Sequence, residues 1–421
     1  MVARPLRIGM IAPPWLEIPP PAYGGIELML DALCVALQRA GHDVTLFTIG
    51  DSGCSVPKRW LFEHADPDRV GIAVIELRHV AAAYEALRDV EIVHDHTLCG
   101  LFYSERFPDL PVVATNHGLF DADHNDLYGR VAGRIPVIAI SNHQARDAPP
   151  TVPIARVIPH GIDLDRYPAS QDPGDHLLFL GRMSADKGVD IAIRLARQVD
   201  LPLLIAAKMR EPGELRFFRD VIQPMLDDTV RYVGEVDFAA KTELLTTARA
   251  LINPIRWPEP FGLVMIEAMA CGTPVVSFDH GAAPEIVDSG ITGFLAADEA
   301  GLAAGLARID EIDRRVCRRV AVERFSADRM AADHIDLYRE VLAERTASPS
   351  SRPLASSNTS EDRRSSGGVD PDDDALGEAA HRHIATRDHD VDAAVPEGNS
   401  REPQVPDAFR QPGPQAQLSG G

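Results

Sequence analysis

Ile8-Gly9-Met10-Ile11-Ala12, a proline-rich loop ending in Tyr23-Gly24-Gly25, an amphipathic run to residue 40, Gly41, and Val44-Thr45-Leu46-Phe47-Thr48 open the chain. This stretch reads as strand, glycine loop, helix and strand. The apolar positions Ile26, Met29, Leu30, Leu33, Ala36, Leu37 and Ala40 fall on one helical face. Gly41 follows as a C-terminal glycine should. Two strands joined through a helix imply a parallel sheet with a right-handed crossover. Further apolar runs at 91–94, 111–115, 135–140 and 155–158 suit strands covered on both faces.

A second series begins near residue 176. Strands are expected at 177–180, 203–206, 230–233, 250–254 and 274–278, alternating with helices at 187–199, 214–226, 239–247 and 262–270. That alternation is enough for an independent doubly wound domain. The expected fold is therefore α/β, with two Rossmann-like parallel-sheet domains, 1–165 and 166–325, facing a cleft. Their junction is placed around His160-Gly161-Ile162-Asp163. A last amphipathic helix, 326–345, is expected to pack back on the first domain. Residues 346–421 lack lysine, hold few large aliphatics and are rich in Ser, Asp, Pro and Gly, which predicts a disordered acidic tail.

Composition narrows the function classes. The 421 residues are 45% apolar and 25% charged, as in ordinary globular proteins. No apolar run approaches the roughly 18–20 residues of a membrane-spanning helix, and 8–12 is too short for a signal-peptide core. A cytoplasmic location is expected. The net charge of −21 is spread along the chain: 14 basic against 21 acidic residues in 1–166, 21 against 29 in 167–345, and 7 against 13 beyond. No basic stripe marks a nucleic-acid partner, and stable membrane insertion is disfavoured. Five cysteines at 34, 54, 99, 271 and 317, with no CxxC, argue against a disulfide framework or a zinc site.

In open α/β sheets ligands meet the carboxyl ends of the strands. The polar residues there are Gly24, Gly25, His94, His96, His117, Ser141, Arg182, Lys187, Lys208 and Glu259. The most specific segment is Glu259-Pro260-Phe261-Gly262-Leu263-Val264-Met265-Ile266-Glu267. Its first carboxylate follows a strand and its second falls in the next helix. Gly262 opens that helix and leaves N–H groups free for an anion or hydroxyl. Carboxylates accept bidentately from vicinal sugar hydroxyls. In Gly181-Arg182-Met183-Ser184-Ala185-Asp186-Lys187-Gly188, an arginine at a strand end and a lysine at a helix start suit a diphosphate clamp. Lys208 offers a second phosphate contact.

These segments, with Tyr23-Gly24-Gly25-Ile26-Glu27, Asn116-His117-Gly118, Ile158-Pro159-His160-Gly161-Ile162-Asp163 and Ala268-Met269-Ala270-Cys271-Gly272-Thr273-Pro274-Val275-Val276, resemble the family 4 (GT4) retaining glycosyltransferases of the GT-B fold over about residues 5–345. The resemblance implies transfer of a hexosyl group from a nucleotide-diphosphate sugar to an acceptor hydroxyl, without a metal or other cofactor. It implies that Arg182 and Lys187 neutralise the diphosphate, Glu259 holds the sugar, and Glu267 holds the ribose. Phe261, Gly262 and Leu263 would offer N–H groups, Gly24 and Gly25 would admit the diphosphate, and His117 would stand beside the transferred sugar. The acceptor, a saccharide, small molecule or lipid-linked group, stays open. The competing readings are a catalytically silent sugar-nucleotide scaffold, which usually loses Glu259, Arg182 or Lys187, and a GT-B epimerase or phosphorylase. Asp121-Ala122-Asp123, Asp163-Leu164-Asp165 and Asp388-His389-Asp390 have metal-site spacing, yet are expected by chance in so acidic a chain.

Overall fold

The computed structural model describes residues 4–131 and 133–347. The first of two parallel sheets holds β1 (Arg7–Ile11), β2 (Asp43–Thr48), β3 (Lys58–Trp60), β4 (Ile92–Asp95), β5 (Val112–Thr115), β6 (Val137–Ala139) and β7 (Ile154–Val157). Their order is β3-β2-β1-β4-β5-β6-β7. The second sheet holds β8 (Leu177–Arg182), β9 (Leu203–Lys208), β10 (Val230–Gly234), β11 (Ala250–Asn253), β12 (Val275–Phe278) and β13 (Gly293–Ala296), in the order β10-β9-β8-β11-β12-β13. All four residues of β4, β5 and β11 are buried, as strands between two helical layers should be, His94 and Asp95 of β4 included. Each sheet reverses its strand order beside its first strand, at β1/β4 and at β8/β11, where such folds open a crevice.

Several elements differ from the sequence reading. The helix expected over 214–226 is α-helical only at Pro212–Phe217 and then loosens into a wide turn at Phe218–Ile222 and a tight one at Gln223–Met225. Pro224 has no N–H to continue the ladder. The helix Ala73–Ala86 was not foreseen, because it exposes Val74 and Leu77 while burying His79 and Tyr84, which blurs its stripe. The edge strands β3 and β13 were not expected: β3 is Lys-Arg-Trp and mostly exposed, and β13 opens on a glycine. The disordered tail expected over 346–421 lies outside the described residues from 348 onward.

The chain passes twice between the sheets, and the two passages hold each other. Ile162 N–H donates to Phe325 carbonyl at 2.9 Å, and Ala327 N–H donates to Ile162 carbonyl at 2.9 Å. The helix Ala327–Ala347 then returns to the first domain. Its Met330, Ala331, Ile335, Leu337, Tyr338 and Val341 share one core with Met29, Leu30, Leu33 and Leu37 of the helix Gly25–Arg39. Among the described residues no helix is long and apolar enough to cross a membrane.

Gly161 sits where the passages touch: a Cβ there would stand 2.4 Å from the Ser326 carbonyl oxygen. Backbone cannot yield as a side-chain tip can. Gly161→Ala should lower the unfolding free energy by roughly 1–3 kcal/mol, the usual cost of overpacking, read from urea unfolding monitored by circular dichroism.

Candidate active site

The register of the second sheet builds the basic wall. β8 and β9 pair so that Arg182 lies opposite Lys208 at the carboxyl ends of both strands. A tight turn Ala185–Lys187 follows β8 and tucks the Lys187 side chain inward. Lys187 Nζ donates to Glu259 Oε1 at 2.5 Å and lies 5.2 Å from the Trp257 ring centre. Arg182 donates to Asp186 at 3.2 Å, and Lys208 to Glu211 at 2.9 Å. Each of these three cations thus faces a carboxylate.

The acidic wall comes from the loop after β11. Glu259 stands on this loop, with Oε2 buried and unpaired. Gly262 has φ 110°, a left-handed conformation that a side chain would strain, and it starts the helix Leu263–Ala270. Glu267 in that helix is buried, and its Oε1 accepts from Lys241 Nζ at 2.6 Å and Tyr167 hydroxyl at 2.8 Å. Buried carboxylates need such partners, since an unpaired charge in this setting costs several kcal/mol.

The first domain closes the other side. Gly24, Gly25, Glu27, His117 and His160 share with Arg182, Lys187, Lys208, Glu259, Phe261, Gly262, Leu263 and Glu267 the wall of one cavity of about 990 Å³. The residues to which the family resemblance gives a role, Gly24, Gly25, His117, Arg182, Lys187, Glu259, Phe261, Gly262, Leu263 and Glu267, all line it, as does Lys208. The His117 and His160 rings stack at 5.3 Å, and the His160 ring meets the Phe261 ring edge-on at 5.1 Å. Burial, with some help from His334, pushes His117 down to about 3, and burial holds His160 well below the usual imidazole range. Both are neutral near pH 7.

Three residues expected at the cleft do not line it. His94 lies within β4 rather than beyond its end, sealed between the Tyr338 hydroxyl and Thr115 Oγ1, each at 2.7 Å. His96 lies behind His117, at 2.8 Å. Ser141 caps the helix Asn142–Asp147 by accepting from Gln144 N–H. Asp121 likewise caps locally, accepting from His124 N–H at 2.9 Å, and Asp163 Oδ1 accepts from Asp165 N–H. The third such pair, Asp388 and Asp390, lies outside the described residues. Sequence reasoning missed Tyr167, Lys241 and Trp257, and gave Tyr23, Glu27 and His160, which stand in the matching segments, no role of their own.

The chain matches the family described as Glycosyltransferase Family 4 over residues 23–166 and that described as Glycosyl transferases group 1 over 174–311. It is 28% identical over 349 residues to the phosphatidyl-myo-inositol mannosyltransferase of Mycolicibacterium smegmatis, covering 73% of this chain and 86% of that one. Its fold is similar to the sucrose-phosphate synthase of Thermosynechococcus elongatus, with TM-score 0.67, 21% identity, and 80% and 100% of the two chains covered. It is also similar to an Anabaena protein crystallised with UDP and glucose, with TM-score 0.65, 19% identity, and 80% and 100% covered.

Glu27 gives the cavity wall a measurable pH signature. Its carboxyl is 6% exposed, and burial pushes it up to about 7 from an ordinary 4.5. The folded state then binds a proton the unfolded state has released between those two values. Stability is therefore lost as pH rises through that window, by at most about 3 kcal/mol at 1.36 kcal/mol per unit. Glu27→Gln removes the linkage, so its stability relative to wild type should climb from pH 5 to pH 8 in parallel urea titrations. A constant difference would show that Glu27 ionises normally.

Proposed function

Because the chain belongs to the family 4 glycosyltransferases and has their two-domain GT-B architecture, we propose that it transfers a hexosyl group from a nucleoside-diphosphate sugar to an acceptor hydroxyl with retention at the anomeric carbon. One observation carries this reading: Arg182, Lys187 and Lys208 converge at the ends of β8 and β9, facing Glu259 and the start of the helix Leu263–Ala270 across one cavity. Fixed cations beside helix N–H groups suit a diphosphate. Two carboxylates suit the hydroxyls of a sugar and a ribose.

In this reading the donor exchanges partners within the site. Its diphosphate takes Lys187 from Glu259, and Glu259, already holding one oxygen unpaired, turns both to the sugar. Glu267, fixed by Lys241 and Tyr167, receives the ribose. The Phe261-Gly262-Leu263 backbone offers N–H groups, while Gly24 and Gly25 line the approach of the diphosphate. His117 faces the transferred sugar. As the bond from the anomeric carbon to the phosphate oxygen breaks, negative charge grows on the departing diphosphate. Arg182 and Lys187 stabilise that charge more in the transition state than in the ground state. The acceptor oxygen attacks on the face the diphosphate leaves, and its proton passes to the departing phosphate oxygen. No step in this scheme calls for a metal.

Lys187→Ala and Arg182→Ala should each lower kcat/KM by about 10²–10³-fold, the scale found for losing one transition-state donor, while the folded fraction by circular dichroism stays near wild type. Turnover should be unchanged by EDTA. The product should keep the donor's anomeric configuration by proton NMR coupling. Inversion, or wild-type rates in both variants, would overturn the scheme.

A further inference from the structure

A cluster of five imidazoles runs from the cavity wall, where His117 and His160 stand, back into the first domain. His96 lies 4.0 Å from His94, their planes tilted by 40°, and stacks on His117 at 5.1 Å; His94 lies 5.1 Å from His334; and His117 stacks on His160. Within it one hydrogen-bonded line runs toward the cavity. Met10 Sδ is 3.0 Å from His96 Nε2, and His96 Nδ1 is 2.8 Å from His117 Nε2. His117 Nδ1 is buried and has no partner. Met10 belongs to β1, His96 follows β4 and His117 follows β5, so three adjacent strand positions of the first sheet supply the line.

The chemistry of the thioether sets every proton along this line. A methionine sulfur accepts hydrogen bonds and has no hydrogen to donate. At 3.0 Å a bare His96 Nε2 would set lone pair against lone pair, so His96 Nε2 carries the hydrogen. Burial holds His96 well below the usual imidazole range, so the ring is neutral and holds one N–H only. Its Nδ1 must then accept, and His117 Nε2 must donate to it. His117 is neutral as well, which leaves its Nδ1 a bare acceptor.

We propose that Met10 and His96 are positioning residues that fix His117 as the Nε2–H tautomer, so that His117 offers the bound sugar a hydrogen-bond acceptor. The second half of this statement rests on the proposed place of His117 beside the transferred sugar. An acceptor of this kind is satisfied by a neutral hydroxyl and repels a carboxylate.

The test is the ¹⁵N spectrum of the full chain with labelled histidine, assigned by His96→Gln and His117→Gln. Both rings should show a protonated Nε2 and an unprotonated Nδ1 at pH 7. Met10→Leu keeps the volume of the side chain and removes the acceptor. In that variant the two rings' signals should move together toward those of a tautomer mixture. A proton on His117 Nδ1 in the wild type would overturn the proposal, as would signals unmoved by Met10→Leu. In kinetics, His96→Leu should lower kcat by about tenfold or more with the donor KM within about threefold, a split that marks lost transition-state contact. A merely structural His96 would instead reduce the titrated fraction of active sites and leave kcat per site intact. Wild-type turnover in His117→Ala alongside the expected tautomer would refute the place of His117 at the sugar and leave the tautomer assignment standing.

Discussion

Lys187 and Glu259 meet at 2.5 Å though 72 residues separate them, and most of the second domain is arranged so that they can. Neither group is accessible enough to be solvated alone: their side chains are 11% and 19% exposed. A charge in that position needs an opposite charge at contact distance. Lys187 arrives on the turn after β8 and Glu259 on the loop after β11, so the pair requires those strands to be neighbours. Strand order β9-β8-β11 supplies that adjacency and makes the crevice in the same stroke. The second buried pair, Lys241 with Glu267, obeys the same rule two elements away. By contrast, ion pairs on the surface, such as Arg156 with Glu340, add little to stability.

The junction places the other wall. Its two passages are joined by backbone hydrogen bonds, and the returning helix Ala327–Ala347 buries its apolar face in the first domain's core. The chain's last described element is thus fixed to the helix that begins at Gly25, which is itself part of the cavity wall. Near the opening of the cleft, a Cβ on Gly25 would lie 3.0 Å from Leu263 of the second domain. The two helix starts are close enough that a bulky side chain at Gly25 would press on Leu263 and pry them apart.

How much of this could be read from sequence depended on how local each signal was. Strands β8 to β12, and the helices between them apart from 214–226, came through because each is a compact apolar run between loops. Arg182 with Lys187, and Glu259 with Glu267, came through because each pair sits within nine residues of chain. Lys241 and Tyr167 did not, since they reach Glu267 from 26 and 100 positions away and carry no motif of their own. Glu27 stood in a recognised segment, but only the fold shows that its carboxyl is buried. His94 was misplaced by one strand residue, enough to move it from the cleft into the core. Its true partner, Tyr338, lies 244 positions on.

The two walls differ in electrostatic character, and that difference suits the proposed chemistry. The second domain presents fixed charges, each already balanced by a partner it can exchange for ligand. The first domain presents imidazoles that burial keeps neutral: His117 and His160 at the surface of the cavity, His94 and His96 behind them. A cationic histidine opposite the clamp would draw the diphosphate toward the wrong wall and compete with Arg182 and Lys187 for it. Neutral rings instead leave the charge gradient across the cavity pointing one way, from the reacting sugar toward the departing diphosphate. Desolvating the imidazoles costs less once they are uncharged and hydrogen-bonded, His96 to His117 and His94 to Tyr338 and Thr115. A dense histidine cluster can therefore serve here as apolar-like packing with directed polar atoms, rather than as a source of charge.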